Sequence, residues 1–395
     1  MRVLIVATEF PPGPGGIGTH AHELARHLAR RYWSVTVLAS QDYVAPEEAA
    51  AFNAAQPFRV VTWKRTPGAG PLRALGRLTS LAALLRESPP DVAVASGSRA
   101  VLACAGACRR SRTPFVAVGH GTEFGSRGLV AAALRAAFRR AAAVVAVSEY
   151  TRRLYREFCA DAPAAEVIPN GADPERFRPM EPDEIRRALG GAIPEGRLLV
   201  TVGNVTPRKA QDVVVRALPR ILASVPDARY ALAGLPTDGE RILRIARECG
   251  VADRVHLLGR LAPDALCAAL NAAEVFVLTS RRTASGDVEG YGIAAVEAAL
   301  CGRPAVVSRG SGLEEAIVDG ETGLAVSPDD PAATAEAVIA LMTDAPRRAR
   351  MGQRARDRAL AEQTWDGRIS RYAEVLERAR RAAPARESAA PAAAP

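Results

Sequence analysis

Two glutamates stand eight positions apart in the segment EGYGIAAVE, residues 289–297. The apolar run before this segment predicts a strand and the alanine-rich run within it predicts a helix, so Glu289 would precede the helix and Glu297 would lie in its second turn. At about 1.5 Å of rise per residue, the two carboxylates would be on the order of 10 Å apart. The amides of Tyr291, Gly292 and Ile293 would lie between them, at the positive end of the helix. This layout fits a nucleotide sugar, with a hydroxylated ring at each end and a diphosphate in the middle; the alternative is two solvated glutamates.

A second candidate site is the pair Arg208 and Lys209 in the segment VTVGNVTPRKAQD, residues 200–212. The pattern predicts a strand, a loop and a helix that begins near the two basic residues. Cations at the start of a helix oppose its macrodipole and gain nothing locally. An anion bound in a cleft explains their position, since an ammonium binds phosphate as a point charge and a guanidinium binds it in a bidentate manner.

A glycine-rich loop, PPGPGGIGTH, follows the first predicted strand and leads into a helix. Gly15 and Gly16 allow backbone amides to approach an anion or a sugar without an intervening side chain. The loop lacks the G-x-G-x-x-G pattern of dinucleotide binding, and no acidic residue follows the second strand as a ribose partner should. A glycine loop that binds no ligand remains the alternative.

His120 stands between two glycines in AVGHGTEFG, at the end of another predicted strand. A single histidine is often structural, but the carboxyl end of a parallel strand faces the ligand crevice of an α/β sheet. His120 is therefore a candidate site residue.

The bulk composition is that of a globular protein with two domains. The chain has 395 residues, of which 48% are hydrophobic and 24% charged, and its net charge is +9. Lys64 and Lys209 are the only lysines, so the charge reflects arginine-rich composition as readily as a basic surface. The six cysteines form no CxxC pair and no metal-type cluster with histidine, which predicts buried free thiols. The start of the chain lacks the apolar run of a signal peptide, and no run reaches membrane-span length; we expect a cytoplasmic protein.

The apolar runs indicate two successive parallel sheets. Short, continuously apolar segments alternate with helical patterns, which is typical of sheets covered on both faces. Five strands are predicted before residue 150 and six after residue 196, with the segment 169–195 as linker. Doubly wound sheets bind ligands at the carboxyl ends of their strands, so two such domains would enclose a ligand in the cleft between them.

Together these motifs resemble the retaining glycosyltransferases of family four, which have the GT-B fold of two Rossmann-like domains facing a cleft. The resemblance covers almost the whole chain. It includes the glycine loop, GHGTE (119–123), VSEYTR (147–152), IPNGAD (168–173), RKAQD (208–212), RVHLLGRL (254–261), EGYGIAAVEA (289–298) and GLEEAIVDGETGLAV (312–326).

The resemblance implies a division of the chain. Residues 1–172 would form an acceptor-side domain, to which a C-terminal helix at 366–381 returns. Residues 173–365 would form the nucleotide-sugar-binding domain. The alanine- and proline-rich tail, 382–395, is predicted to be disordered.

The resemblance also implies a role for each candidate residue. Arg208 and Lys209 would neutralise the donor diphosphate, Glu297 would bind the ribose hydroxyls and Glu289 the hydroxyls of the donor sugar. The remaining members of the implied site are His120 against the transferred sugar, Arg260 and Leu261 near the base, and Gly15 and Gly16 near the diphosphate and acceptor.

One position departs from the family pattern. Members commonly carry an arginine where this chain has Asn204, so Arg208 would have to substitute for it at the donor phosphate.

The implied reaction transfers a sugar from a nucleoside diphosphate to an acceptor hydroxyl, with retention and without a metal or other cofactor. A lipid-linked acceptor at the membrane face and a soluble glycan or small molecule are both open. The arginine-rich helical patterns at 23–33 and 129–141 could lie on anionic headgroups, or their apolar faces could be core. The alternative function is a non-catalytic GT-B scaffold that binds nucleotide or glycan. Nothing indicates a nucleic-acid-binding module.

Overall fold

The computed structural model describes residues 1–13, 15–63, 70–191, 193 and 195–382. The predicted disordered tail, 382–395, therefore lies outside the described residues except for Ala382.

The first half of the chain forms a seven-stranded sheet in which every neighbouring pair of strands is parallel. The strand order is β3-β2-β1-β4-β5-β6-β7. The strands are β1 Arg2–Ala7, β2 Ser34–Ala39, β3 Arg59–Thr62, β4 Val92–Ser96, β5 Phe115–Gly119, β6 Ala143–Ala146 and β7 Ala165–Val167. Sequence patterns predicted five of these strands and missed β3 and β7. Both lie at the edges of the sheet, are only four and three residues long, and carry partly exposed side chains, so neither has a continuous apolar run.

Helices cover both faces of this sheet. They are α1 Gly16–Arg30, α2 Pro46–Ala54, α3 Gly70–Glu87, α4 Ser98–Arg110, α5 Gly128–Phe138 and α6 Glu149–Phe158. The central strands are almost fully buried, with Ile5, Val6 and Val94 at 0% exposure. The core accordingly divides into two groups of side chains, one on each face.

The second sheet has six strands in the order β10-β9-β8-β11-β12-β13, again with parallel neighbours. Its strands are β8 Arg197–Val202, β9 Ala228–Ala233, β10 Val255–Gly259, β11 Val275–Leu278, β12 Ala305–Ser308 and β13 Gly323–Val326. All six were predicted. The helices that precede and cover it are α7 Pro182–Leu189, α8 Gln211–Ser224, α9 Gly239–Glu248, α10 Pro263–Ala272, α11 Ile293–Leu300, α12 Pro331–Thr343 and α13 Ala345–Glu362. The predicted pair of doubly wound α/β sheets is confirmed.

The last helix, α14 Trp365–Arg381, leaves the second sheet and packs on α1 of the first. Where the chain crosses, the amide of Ala172 donates to the carbonyl of Gln363 at 2.9 Å, so the outgoing and returning segments lie side by side. Ile369 and Leu376 are buried in this contact, and each such side chain contributes about 1.5–3 kcal/mol. The two α/β units are thereby joined at two adjacent crossings.

The cysteines carry no disulfide. All six are free; Cys249 is partly buried and the other five are buried. The prediction of free thiols is confirmed, with Cys249 less buried than expected.

Candidate active site

The candidate residues come together where the carboxyl ends of the two sheets face one another. In each sheet the strand order reverses beside the first strand, between β1 and β4 and between β8 and β11. Loops that leave such a switch point diverge to opposite faces of the sheet and open a crevice for a ligand. The loops after β1, β5, β8 and β11 carry most of the residues that the sequence motifs single out.

Glu289 is the centre of a buried ion cluster. Its Oε2 accepts from Lys209 Nζ at 2.7 Å and from Arg208 Nη1 at 2.5 Å, and Arg208 Nε lies 3.3 Å from Asp287 Oδ2. The side chains of Glu289 and Lys209 are only 11% and 13% exposed. Two residues predicted for the diphosphate and one predicted for the sugar therefore form a single cluster.

The charged groups of this cluster shift one another's pKa values. Burial opposes ionisation of Glu289, but Arg208 and Lys209 outweigh it and lower the pKa of this carboxyl to about 2. The charge of Glu289 raises the pKa of Arg208. Burial lowers the pKa of Lys209, and Glu289 only partly counteracts this. Glu289 is therefore ionised throughout the neutral range.

Gly203 makes room for the lysine. It has φ 139° at the end of β8, and a Cβ there would lie 3.1 Å from Cε of Lys209. The positive φ and the close approach both favour glycine, which lets the Lys209 side chain lie across the strand end toward Glu289.

Asn204, the departure from the family pattern, ties two loops of the second domain together. Its Oδ1 accepts from the amide of Leu235 at 3.1 Å, and its carbonyl accepts from Gln211 Nε2 at 3.2 Å. The side chain of Arg208, four residues later, reaches the cleft instead, between Glu289 and Asp287.

Glu297 lies in the second turn of α11, as predicted, in a different electrostatic environment from Glu289. Burial raises its pKa to about 7; Arg176 and Lys209 oppose this, while Glu23 of α1 reinforces it. The helix begins after Gly292, which has φ 88° and provides no side-chain cap for the first-turn amides. Tyr291 turns its side chain away from the cleft, because its buried hydroxyl accepts from Gln363 Nε2 at 3.3 Å. Of the predicted anion site at 291–293, Tyr291 can thus offer only its backbone.

His120 is buried at the end of β5. Its Nε2 is hydrogen-bonded to Ser96 Oγ at 2.9 Å, and its ring centroid lies 5.1 Å from that of His20. Burial lowers the pKa of His120 to about 4, so the imidazole is neutral at pH 7. A neutral imidazole can exchange hydrogen bonds with a sugar hydroxyl, but its one N–H is too weakly acidic for His120 to act as a general acid.

Sequence reasoning missed a glutamate beside each of the two first-domain loops. Glu9 Oε1 accepts from the amides of Ile17 and Gly18 at 3.1 and 3.4 Å, so a carboxylate of the chain already occupies the start of α1. A Cβ on Gly15 would overlap this carboxyl group, whereas Gly16 faces open space. The second residue, Glu123, binds the backbone that carries His120. Both glutamates stand in or beside the glycine-bearing motifs, but only the tertiary contacts reveal what they bind.

Arg260 forms an ion pair between the two domains. Its Nη2 lies 2.6 Å from Glu48 Oε1, on α2 of the first domain. Leu261 follows it, partly buried, just before α10.

A further contact between the domains involves Glu315, in the second domain. Its carboxylate accepts from the amides of Glu149 at 2.9 Å and Tyr150 at 2.7 Å, at the start of α6 in the first domain. A carboxylate at a helix N-terminus is stabilised by the macrodipole, so this contact holds the two domains together.

Within the described residues, no helix is both long and apolar enough to span a membrane. Likewise, no group of three or more histidine, cysteine, aspartate or glutamate side chains in the part of the chain that the structure describes has the arrangement to hold a metal ion.

Comparison with known proteins matches both halves of the chain to families. Residues 184–358 match the family described as glycosyl transferases group 1, and residues 14–176 match glycosyltransferase family 4. The GDP-mannose-dependent alpha-(1-6)-phosphatidylinositol monomannoside mannosyltransferase of Mycolicibacterium smegmatis is 34% identical over 379 residues, covering 95% of this chain and 98% of the relative. A D-inositol 3-phosphate glycosyltransferase of Stackebrandtia nassauensis is 36% identical over 239 residues, covering 57% of this chain and 51% of that protein.

Solved structures agree with the fold. The crystal structure of HepE from Anabaena, in complex with UDP-glucose, superimposes with a TM-score of 0.79 at 21% identity and covers 95% of this chain and 99% of that one. At this identity the likeness concerns the fold alone, which is that of GT-B glycosyltransferases.

Proposed function

The chain belongs to the group 1 glycosyltransferases of family 4, and from this premise we propose that it transfers a hexose, with retention, from a nucleoside-diphosphate sugar to a hydroxyl of an inositol-containing glycolipid. The glycosyltransferase class follows from family membership. Donor, acceptor, stereochemistry and metal independence are proposals, which the geometry and the relatives support.

The observation that carries the proposal is the cluster of Arg208, Lys209 and Glu289, close to the start of α11. Two cations and the amides of a helix N-terminus are groups that stabilise a leaving diphosphate. In the proposed complex the diphosphate would compete with Glu289 and Asp287 for the two cations. Arg208 and Lys209 would thereby supply the positive charge that a divalent ion supplies in other transferases.

The state of Glu289 favours a front-face mechanism over a covalent glycosyl-enzyme. A carboxylate whose charge is shared by Arg208 and Lys209, with a pKa of about 2, is a weak nucleophile. In the proposed step the acceptor oxygen bonds to the anomeric carbon on the face from which the diphosphate leaves. The bond from carbon to phosphate oxygen breaks, and that oxygen takes the acceptor proton. Glu289 and neutral His120 would orient the sugar, and catalysis would come from positioning and charge stabilisation.

The relatives support a GDP-mannose donor. The Mycolicibacterium relative, which aligns along almost its whole length, is named as GDP-mannose-dependent and as acting on a phosphatidylinositol monomannoside. The shorter match is named for D-inositol 3-phosphate. An inositol ring is common to both names, and of the two acceptor types we propose the lipid-linked one.

A glycolipid acceptor requires contact with a membrane surface, and α5 offers a candidate for it. Leu129 and Val130, at its start, are 89% and 56% exposed, next to exposed Arg127. The apolar face of α1 is instead core, since Leu24 and Leu28 are fully buried. Of the two arginine-rich patterns considered for membrane contact, we therefore retain only the one at 129–141.

Calorimetric titration with GDP, UDP, ADP and dTDP, without metal, on the wild type and Lys209→Ala tests the donor site. We expect GDP to bind tightly and the variant to lose that binding. A transfer assay with GDP-mannose, comparing phosphatidylinositol monomannoside with D-inositol 3-phosphate, then identifies the acceptor, and NMR of the product anomer tests retention. Nucleotide binding without transfer to any acceptor would favour the scaffold alternative, and absence of all nucleotide binding would refute the donor site.

A further inference from the structure

Glu123 is a buried carboxylate with one bonded and one unbonded oxygen. It lies in a 3-10 helix, Thr122–Gly125, directly after β5. Its Oε2 accepts from the amides of His120 at 3.0 Å and Gly121 at 2.9 Å. Its Oε1 is buried and has no hydrogen-bond partner among the described residues, in a side chain that is 1% exposed. A buried carboxylate oxygen without a donor is costly when the group is charged.

The turn that carries Glu123 is also in close contact with the second domain. A Cβ on Gly121 would lie 3.0 Å from Cγ2 of Val288, and one on Gly125 would overlap the carbonyl of Gly286. A Cβ on Gly290 would overlap the carbonyl of His120. The residues that flank Glu123 thus contact the segment 286–290, which also carries Asp287 and Glu289.

The charges around Glu123 disfavour its ionised form in this closed arrangement. Burial raises its pKa to about 7, its backbone donors oppose this, and the charge of Asp287 adds to it. Asp287 faces Glu123 from the second domain and pairs with Arg208. On its own side stand His120, neutral at pH 7, and uncharged Thr151 of α6, which contacts Gly121.

We propose that Glu123 is a positioning residue whose uncharged form permits the two domains to close over the donor and whose ionisation favours their separation. Separation would remove the segment 286–290 from the turn and let water reach Oε1. The inference rests on the proposed function, because closure would complete the donor site and place His120 beside the sugar.

The direction of the pH dependence follows from linkage. A solvated Glu123 in the separated state has the ordinary glutamate pKa of 4.5, whereas the closed state raises this pKa to about 7. Closure therefore takes up a proton, is favoured at low pH, and weakens as pH rises from 4.5 through 7. With these two values the closure equilibrium falls roughly twentyfold between pH 5.5 and 7.5.

Small-angle X-ray scattering of the ligand-free protein at pH 5.5 and 7.5 tests this directly. We expect the radius of gyration of the wild type to increase at pH 7.5, and that of Glu123→Gln, which is uncharged at both values, to stay small. Glu240→Gln, at an exposed site on α9, is the matched control and should respond like the wild type. A wild type without a pH response, or a Glu123→Gln variant that keeps it, overturns the proposal.

Glu297 needs its own comparison, because its pKa is also raised to about 7. If Glu297→Gln loses the response and Glu123→Gln keeps it, the titrating group is Glu297 and the proposal is wrong. Should Glu123→Gln fail to fold, Asp287→Asn serves instead: without the facing charge, the response should become smaller and move to lower pH. An unchanged response in Asp287→Asn counts against the proposal.

Nucleotide affinity separates this inference from the function on which it rests. The ratio of GDP affinity in the wild type to that in Glu123→Gln should fall between pH 5.5 and 7.5, by up to the same roughly twentyfold factor, because any contribution of Glu297 is common to both proteins. If no nucleotide binds at any pH but the scattering response depends on Glu123, the donor assignment fails and the control of domain closure by Glu123 stands. If GDP binds with a pH dependence that Glu123→Gln retains in full, the control of domain closure by Glu123 fails and the donor site stands.

Discussion

Replacing Glu289 by glutamine should weaken the fold and strengthen the binding of free GDP at the same time. Glu289 is the shared partner of Arg208 and Lys209, and all three side chains are at most 24% exposed. Its pKa falls from 4.5 to about 2 in the folded protein, which corresponds to about 3 kcal/mol of stabilisation at neutral pH. The variant should lose stability of this order. With an unfolding entropy of about 2.1 cal/mol/K per residue over 395 residues, its melting temperature should fall by roughly 4 °C.

The same substitution frees the two cations. In the wild type an incoming diphosphate must compete with the carboxylate of Glu289. In Glu289→Gln it meets Lys209 released from this carboxylate, and Arg208 with Asp287 as its remaining ion-pair partner. GDP should therefore bind several-fold more tightly to the variant and raise its melting temperature more than that of the wild type. Sugar transfer should nevertheless fall severely, because the charged acceptor of the sugar hydroxyls is replaced by a weaker, neutral amide. Differential scanning calorimetry, titration calorimetry and turnover measure the three effects separately.

The melting temperatures of wild type and Glu289→Gln at low pH test the same reasoning. The stabilisation from Glu289 is fully present above pH 4.5 and is lost as pH falls through about 2, so the difference in melting temperature between wild type and variant should shrink toward pH 3. Glu297→Gln is the matched control: its carboxyl has no depressed pKa, so it should weaken GDP binding without a comparable loss of stability. Equal stability of wild type and Glu289→Gln, or weaker GDP binding by the latter, would refute the competition between carboxylate and diphosphate.

Three other measurements follow from the contacts between and around the domains. Glu315→Gln loses a carboxylate that accepts hydrogen bonds from two amides of the other domain, which should destabilise the closed state by about 1.5–3 kcal/mol. The radius of gyration and the donor KM should both increase, and an unchanged KM would argue against a role of Glu315 in closure. Leu129→Asp with Val130→Asp should reduce pelleting with anionic liposomes while transfer to a soluble inositol acceptor continues, and unchanged pelleting would exclude α5 as the membrane contact. GDP titrations of Glu123→Gln in buffers of different ionisation enthalpy should report proton release near pH 7 as Glu297 ionises to accept the ribose hydroxyls, and the release should vanish when Glu297→Gln is added.

The architecture could be predicted because parallel strands that are buried on both faces consist of continuous apolar runs. The five inner strands of the first sheet and the four inner strands of the second follow this pattern, while the edge strands β10 and β13 are only partly buried but carry enough apolar residues to be recognised. The edge strands β3 and β7 escaped prediction because an edge strand needs little apolar surface. The placement of the candidate residues at strand ends followed from the same logic.

The partners of those residues could not be predicted, since they depend on contacts between distant parts of the chain. Glu315 meets α6 across about 165 residues, and Arg260 meets Glu48 across 212. Asn204 illustrates the same limit. By the family pattern a cation is missing at this position. In the fold the side-chain oxygen of Asn204 accepts a hydrogen bond from the amide of Leu235, and Arg208 extends into the cleft.

The two glutamates of EGYGIAAVE differ in charge state because they differ in neighbours, and this difference divides their proposed tasks. Glu289 has two cations within hydrogen-bonding distance and is ionised at every neutral pH, whereas Glu297 has a pKa of about 7 because Arg176 and Lys209 only partly offset its burial. A diphosphate that drew Lys209 away from Glu289 would leave Arg208 to hold that carboxylate ionised, but it would remove part of the positive charge that acts on Glu297. Glu297 would then stay ionised only if the ribose hydroxyls donate to it. In the proposed site the diphosphate weakens the ionised state of Glu297, and the ribose hydroxyls restore it. The nucleotide must therefore bring both groups.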